Sequence, residues 1–354
     1  MLWLSRFAIV LAFVVVVLGA FTRLTEAGLG CPDWPGCYGF LTVPTAEQID
    51  TAHARFPEQP VEHHKAWNEM IHRYFAGTLG LVILALAIGG VRTSQQREEK
   101  IFSLAAISTH TSALLLLVIF QAILGMLTVT MDLKPIIVMG HLLGGFSIFV
   151  LLVLLERRLV KQKADSGEHS CGVQANKLML ATAAATGLLI IQIALGGWTA
   201  ANYAALTCTQ LPICEGDWQN KLDFAQAFSP TPHAETYQYG VLDYAARMTI
   251  HVTHRVGAII VTLGLFLYCL LLWRAKIFTK QLISINLLLF MQISLGISNV
   301  VMSLPLAVAV AHNAVALLLL SSLIITWHKV SLISKVQVQQ KQSPQILLPV
   351  KELS

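Results

Sequence analysis

Histidine both carries protons near neutral pH and ligates transition metals. Four of the twelve histidines, His72, His141, His254 and His312, stand inside long apolar runs. An ionisable residue in such a run is expensive to keep there and points to a functional site. Three residues before His72 is Glu69, and three before His254 is His251. Helical residues three apart share a face, so Glu69 and His72 point toward one pocket. A carboxyl there suits a proton donor or acceptor; the alternative is an anchor at the helix start, favoured by the helix dipole. Cysteines add a third chemistry. Cys31 and Cys37 lie in Gly30-Cys31-Pro32-Asp33-Trp34-Pro35-Gly36-Cys37, and Cys208 and Cys214 repeat the spacing. Each pair reads either as a disulfide closing a short loop or as a redox-active couple.

These residues must be positioned by membrane helices. The 354-residue chain is 55% hydrophobic and 12% charged, with a mean hydropathy of +0.67. Soluble domains carry about 25% charged residues, so a large soluble globule is excluded, as is a disordered chain. The net charge of +5 forms no basic cluster on a polar face, so no nucleic acid is expected as partner. Apolar blocks of about 20 residues predict eight spans, at about 3–24, 68–91, 102–129, 135–156, 176–200, 245–273, 281–303 and 306–328. In lipid each must be helical to satisfy its own backbone. One side carries 16 basic and 6 acidic residues; the other, with the long loops 25–67 and 201–244, carries 8 and 13. The positive-inside rule makes the first side cytoplasmic, with both termini, and turns the long loops outward.

The chain also repeats itself. Leu18-Gly19-Ala20-Phe21-Thr22 resembles Leu195-Gly196-Gly197-Trp198-Thr199 at an offset of 177, which also carries Cys31 and Cys37 onto Cys208 and Cys214. His72-Arg73 matches His254-Arg255; Gln121, Gly125 and His141 match Gln292, Gly296 and His312. The fold class is therefore an all-α membrane protein with eight transmembrane helices in two tandem four-helix bundles. An even number of spans per unit implies a pseudo-twofold along the membrane normal. The units are 1–160 and 174–330, followed by a cytoplasmic tail, 331–354. The internal counterpart of the first span argues that it is retained rather than cleaved as a signal peptide.

At 1.5 Å per residue the four histidines lie roughly 7–15 Å below the outer surface. Each unit then offers one histidine from its second helix and one from its fourth, facing across a bundle. Such a pair suits axial ligation of haem iron. The alternative is four polar residues bonded to neighbouring helices; a zinc site is disfavoured because dense Cys/His spacing is absent. His53, His63, His64 and His233 fall in outer loops, His110 has no counterpart, His169 and His328 lie at the cytoplasmic surface, and none is assigned a site. Cys171 and Cys269 are left unpaired. Arg73, Arg255 and Arg23, at the outer surface, either pair with haem propionates or snorkel to headgroups. Gln121, Gln192 and Gln292, each three residues before a Leu-Gly pair, read as helix-packing features.

Together Arg23-Leu24-Thr25-Glu26-Ala27-Gly28-Leu29, Glu69-x-x-His72-Arg73, His141, His254-Arg255 and His312 resemble the haem A synthase family, in its cysteine-containing bacterial form, over residues 5–328. The resemblance implies an enzyme that oxidises the C8 methyl of haem O to a formyl group by successive hydroxylations, giving haem A for terminal oxidases. It implies haem b as cofactor on His254 and His312, with the substrate haem near His72 and His141. It implies Glu69 as the essential acid and a Cys31–Cys37 disulfide; Cys208–Cys214 follows by the repeat. It further implies a bacterial plasma (inner) membrane location with haem sites toward the outer face. Haem O synthase and oxidase assembly factors are then expected partners, besides the lipid bilayer, and a homo-oligomer is left open. His251 and loop 215–244 have no clear match in the family. Two other readings compete: a di-haem b cytochrome transferring electrons from quinol, supported by the paired histidines but not by the Glu69/His251 asymmetry, and a transporter or haem exporter, disfavoured by parallel repeats.

Overall fold

A computed structural model describes residues 1–98, 106–160, 175–230, 232 and 234–342. Among them are ten α-helices and no strand: α1 (Leu2–Leu24), α2 (Ile49–Arg55), α3 (His63–Gln96), α4 (Ile107–Thr130), α5 (Pro135–Leu159), α6 (Ala175–Ala201), α7 (Phe224–Ala227), α8 (Tyr244–Arg274), α9 (Thr279–Val301) and α10 (Leu306–Gln342). Eight of these, all but α2 and α7, are long and apolar enough to cross a membrane. The chain is a multi-pass, all-helical membrane protein. His169, Cys171 and His233 lie outside the described residues, as does most of the linker between the two repeats.

The helix ends differ from the apolar blocks in an instructive way. α3 begins at His63 and ends at Gln96, about five residues beyond the block at each end. Hydropathy marks only the part that needs lipid, whereas backbone hydrogen bonding carries the helix on through polar residues. Where a sharp start was legible it held: Pro135 opens α5 at its first turn, where its missing N–H is no loss.

The neighbours form two closed rings. α1 packs on α3 and α5, and α4 on the same two; α6 packs on α8 and α10, and α9 on the same two. The rings meet along α1–α10, α5–α6 and α5–α10. A single apolar core runs through both, including Leu11, Ile83, Leu114, Phe149, Leu189, Leu265, Leu289 and Leu317. The outer faces are also apolar: Leu81, Leu116, Leu180 and Phe290 are each about 70% exposed, as lipid-facing residues are when no lipid is counted.

The two long loops cap one end of the bundles. The first buries Cys31, Cys37, Tyr38, Val43 and Ala52 against Ala66 and Met70 of α3. The second folds over α8: Trp198 Nε1 donates to the Ala227 carbonyl at 2.8 Å, and Asp223 N donates to Thr249 Oγ1 at 2.8 Å. Its apolar cluster takes in Ile136 and Met139 of α5, and Tyr237 N donates to the Asp132 carbonyl at 3.0 Å, so the second loop leans on the first ring. Arg23 ties α1 to α6, donating to the Ala200 carbonyl at 2.8 Å with its guanidinium 4.0 Å over the Tyr203 ring. A cation at a helix C-terminus meets the negative end of its dipole.

Asp243 starts α8 by accepting from Ala246 N at 2.9 Å. Replacing such a cap by alanine costs about 1 kcal/mol. Asp243→Ala should therefore unfold at a lower temperature in detergent than the wild type, while Asp243→Asn stays close to it.

Candidate functional site

The four intramembrane histidines share one local construction. Each lies against a glycine of the adjacent helix. A Cβ placed on Gly19 of α1 would sit 3.0 Å from His72 Cε1 of α3; on Gly125 of α4, 3.2 Å from His141 Cε1 of α5. In the second ring the distances are 3.2 Å from Gly196 of α6 to His254 of α8 and 3.2 Å from Gly296 of α9 to His312 of α10. Any larger residue would push the ring away. His72 of α3 and His141 of α5 belong to the first ring of packed helices, and His254 of α8 and His312 of α10 to the second. The topology thus gathers the four into the two pairs expected from the repeat.

Three glutamines that looked like packing features reach these rings. Gln121 Nε2 lies 3.0 Å from His141 Nδ1, Gln192 Nε2 lies 3.0 Å from His254 Nδ1, and Gln292 Nε2 lies 3.2 Å from His312 Nε2. Each glutamine sits four residues before the glycine, one turn away on the same helix face. The Leu-Gly spacing noted in the sequence was the available signal. Among the described residues His72 has no glutamine partner and meets the Val15 backbone instead; its Nδ1 is buried without a hydrogen bond there, as is Nδ1 of His312.

Above each pair lies a matched anchor. The carboxylate of Glu69, which is 5% exposed, accepts from Cys31 N at 2.8 Å and from Arg73 Nη2 at 2.5 Å. Arg73 Nη1 donates to the carbonyls of Asp33 at 2.9 Å and of Gly36 at 2.5 Å. In the second ring Cys208 N faces His251 Nδ1 at 3.3 Å and Arg255 Nε faces His251 Nε2 at 3.2 Å. Arg255 also donates to the carbonyls of Gln210, Ile213 and Cys208, at 2.6, 2.5 and 2.5 Å. Disulfides join Cys31 to Cys37 and Cys208 to Cys214. So Arg73 and Arg255 direct most of their donors at the disulfide loops, a use that neither propionate pairing nor snorkelling anticipated. Loop folds are not readable from spacing, which is why the sequence did not indicate it. The anchors differ chemically as well. A carboxylate accepts from both of its donors, whereas a neutral imidazole has one acceptor nitrogen.

The remaining histidines fall where no site was assigned. His110 Nε2 lies 3.0 Å from the Leu151 carbonyl and its Nδ1 lies 3.0 Å from Arg158, joining α4 to α5. His53 and His63 are exposed, and His64 lies 4.0 Å from Glu62 at the surface. Cys269 is buried and unpaired among the described residues.

Removing one member of a buried, hydrogen-bonded ion pair strands the other, at about 3–5 kcal/mol. Arg73→Ala should thus be strongly destabilised in thermal unfolding. Arg73→Lys should recover only part of the loss, because lysine lacks the fork that reaches Glu69 and the loop carbonyls together. Equal stability of Arg73→Ala and wild type would contradict the anchor.

Comparison with known proteins gives the family. Residues 2–324 match the family model of the cytochrome oxidase assembly proteins, COX15-CtaA. A haem A synthase of Shewanella oneidensis is 47% identical over 345 residues, covering 94% of this chain and 99% of that protein. Haem A synthases of Chelativorans and of Agrobacterium fabrum are 25% and 26% identical, over 90% and 92% of this chain and 88% of each relative. With the match spanning nearly its whole length, the chain belongs to the COX15-CtaA family of cytochrome oxidase assembly proteins.

Proposed function

We propose that the chain is a haem A synthase that oxidises the C8 methyl of haem O to a formyl group through successive hydroxylations. The observation that carries this reading is the pairing of four imidazoles, each set on a glycine of its neighbouring helix, in two rings of like construction. The 47% identical haem A synthase supports it. Under this reading the two rings, 1–160 and 174–330, are related by a pseudo-twofold along the membrane normal. The matched interface contacts, α1 with α10 and α5 with α6, favour that relation.

The residues fit a haem in each ring. Imidazole nitrogens are good iron ligands, and the unpaired Nδ1 atoms of His72 and His312 have no other use among the described contacts. His254 and His312 would hold haem b, and His72 and His141 the substrate haem O. Haem b supplies one-electron transfer when bound. Glu69 would hold and release a proton beside the substrate. Its site in the second ring carries His251, so the two rings divide the work between substrate and cofactor. Arg73 and Arg255 would keep a positive charge near the haem propionates while their donors fix the disulfide loops. The two disulfides are read as structural, because each closes a loop caged by one of these arginines. The capping loops would face outward and the short loops the cytoplasm, in the bacterial inner membrane. Haem O would come from a haem O-producing enzyme.

Two tests separate this from a plain cytochrome. Glu69→Ala, co-expressed with a haem O source, should yield no haem A on extraction and mass spectrometry; normal conversion would exclude the catalytic role. His254→Ala or His312→Ala should each lose the b-type absorption of the purified protein, and an unchanged band in both would rule out that ligand pair.

A further inference from the structure

Arg247 opens α8 two turns before His254. Residues two turns apart share a helix face, so Arg247 stands on the face of His254, about 10 Å nearer the loop-capped end. The same step in the other direction reaches Val261 and then Tyr268, both buried. The opposite row, Val256, Leu263 and Leu267, is exposed where lipid would lie. Arg247 therefore belongs to the row that faces the inside of the second ring. Its side chain has no partner there: Nε is buried without a hydrogen bond, and among the described residues no carboxylate pairs with it. Asp243, one turn earlier, is spent on the helix cap, accepting from Ala246 N at 2.9 Å. In the first ring the matching row is Lys65, His72, Leu79 and Leu86. There the cation is already met, because Lys65 Nζ donates to Glu62 Oε1 at 2.9 Å.

From this we infer that Arg247 is the carboxylate-binding residue of the second ring, pairing with the propionates of the haem held by His254 and His312. The inference rests on the haem reading above. A guanidinium in the opening turn of a helix meets the positive end of the helix dipole, and a buried N–H without an acceptor is unfavourable as well. An anion from outside the chain relieves both. A haem offers two carboxylates along one edge, and the two turns between Arg247 and His254 match the reach from its iron to that edge. The planar fork of arginine takes a carboxylate through two parallel hydrogen bonds. Arg255 adds positive charge nearby, but most of its donors are committed to the disulfide loop and His251. The free guanidinium is thus a property of the second ring's Arg247, whereas its first-ring counterpart Lys65 already holds an anion of the chain's own.

The test uses the full-length protein purified with its b-type haem and without a haem O source. Three readouts are compared: haem release to excess apomyoglobin, the midpoint potential, and the propionate bending band in the resonance Raman spectrum. Arg247→Gln should release haem about 10–100-fold faster, the range for one hydrogen bond to a charged group. It should also lower the midpoint potential, because a positive charge beside the haem disfavours the more positive ferric state, and it should shift the propionate band. Arg247→Lys should fall between Arg247→Gln and wild type, keeping the charge but not the fork. A folded Arg247→Gln with the wild-type potential and propionate band overturns the inference, even if release is faster, since a merely structural loosening would give that alone. Should Arg247→Gln fail to fold, an unshifted propionate band in Arg247→Lys overturns it equally. If the wild type carries no b-type haem, or His254→Ala and His312→Ala both keep it unchanged, the haem reading itself fails instead.

Discussion

The molecule depends on one constraint: an imidazole held in hydrocarbon needs both room and a partner, and both come from the neighbouring helix. Glycine lets the helices approach until the ring lies against bare backbone, at 3.0–3.2 Å from where a Cβ would stand. One turn away, a carboxamide reaches the ring nitrogen in three of the four cases. Unpaired polar groups are costly in such surroundings, so each histidine fixes the rotation and spacing of two helices. Four such contacts, α1–α3, α4–α5, α6–α8 and α9–α10, set the edges of the two rings. The leucine-rich core then fills the space that these contacts define.

On this common frame the rings diverge at few positions. Both place an arginine directly after the second-helix histidine and aim it at the carbonyls of a disulfide loop. Both place an acceptor three residues before that histidine, under the first cysteine of the loop. The first ring uses a carboxylate there and the second an imidazole. The first ring also carries Val15 four residues before Gly19, where the other three histidine-bearing contacts have a glutamine.

Much of this was legible in the sequence, and what was not had physical reasons. Apolar blocks located the eight spans because lipid imposes a length. The duplication survived in short motifs, so His72, His141, His254 and His312 could be placed and paired before any coordinates. The ends of α3 were missed because hydropathy is silent about polar helical turns. The glutamines were read as packing because their targets depend on how two helices are rotated about their axes, which spacing along one helix does not specify. Arg73 and Arg255 were left open between haem propionates and lipid headgroups, and their bonds to the loop carbonyls were not foreseen because those loops have no periodicity to read.

The central claim is that each pair of facing histidines holds one iron. Diffraction at the iron absorption edge, on protein prepared with and without haem O, tests this most directly. A peak between His254 and His312 is expected in both preparations, and one between His72 and His141 only when haem O is supplied. Iron density away from these pairs, or equal permanent occupancy of both sites without haem O, would contradict it.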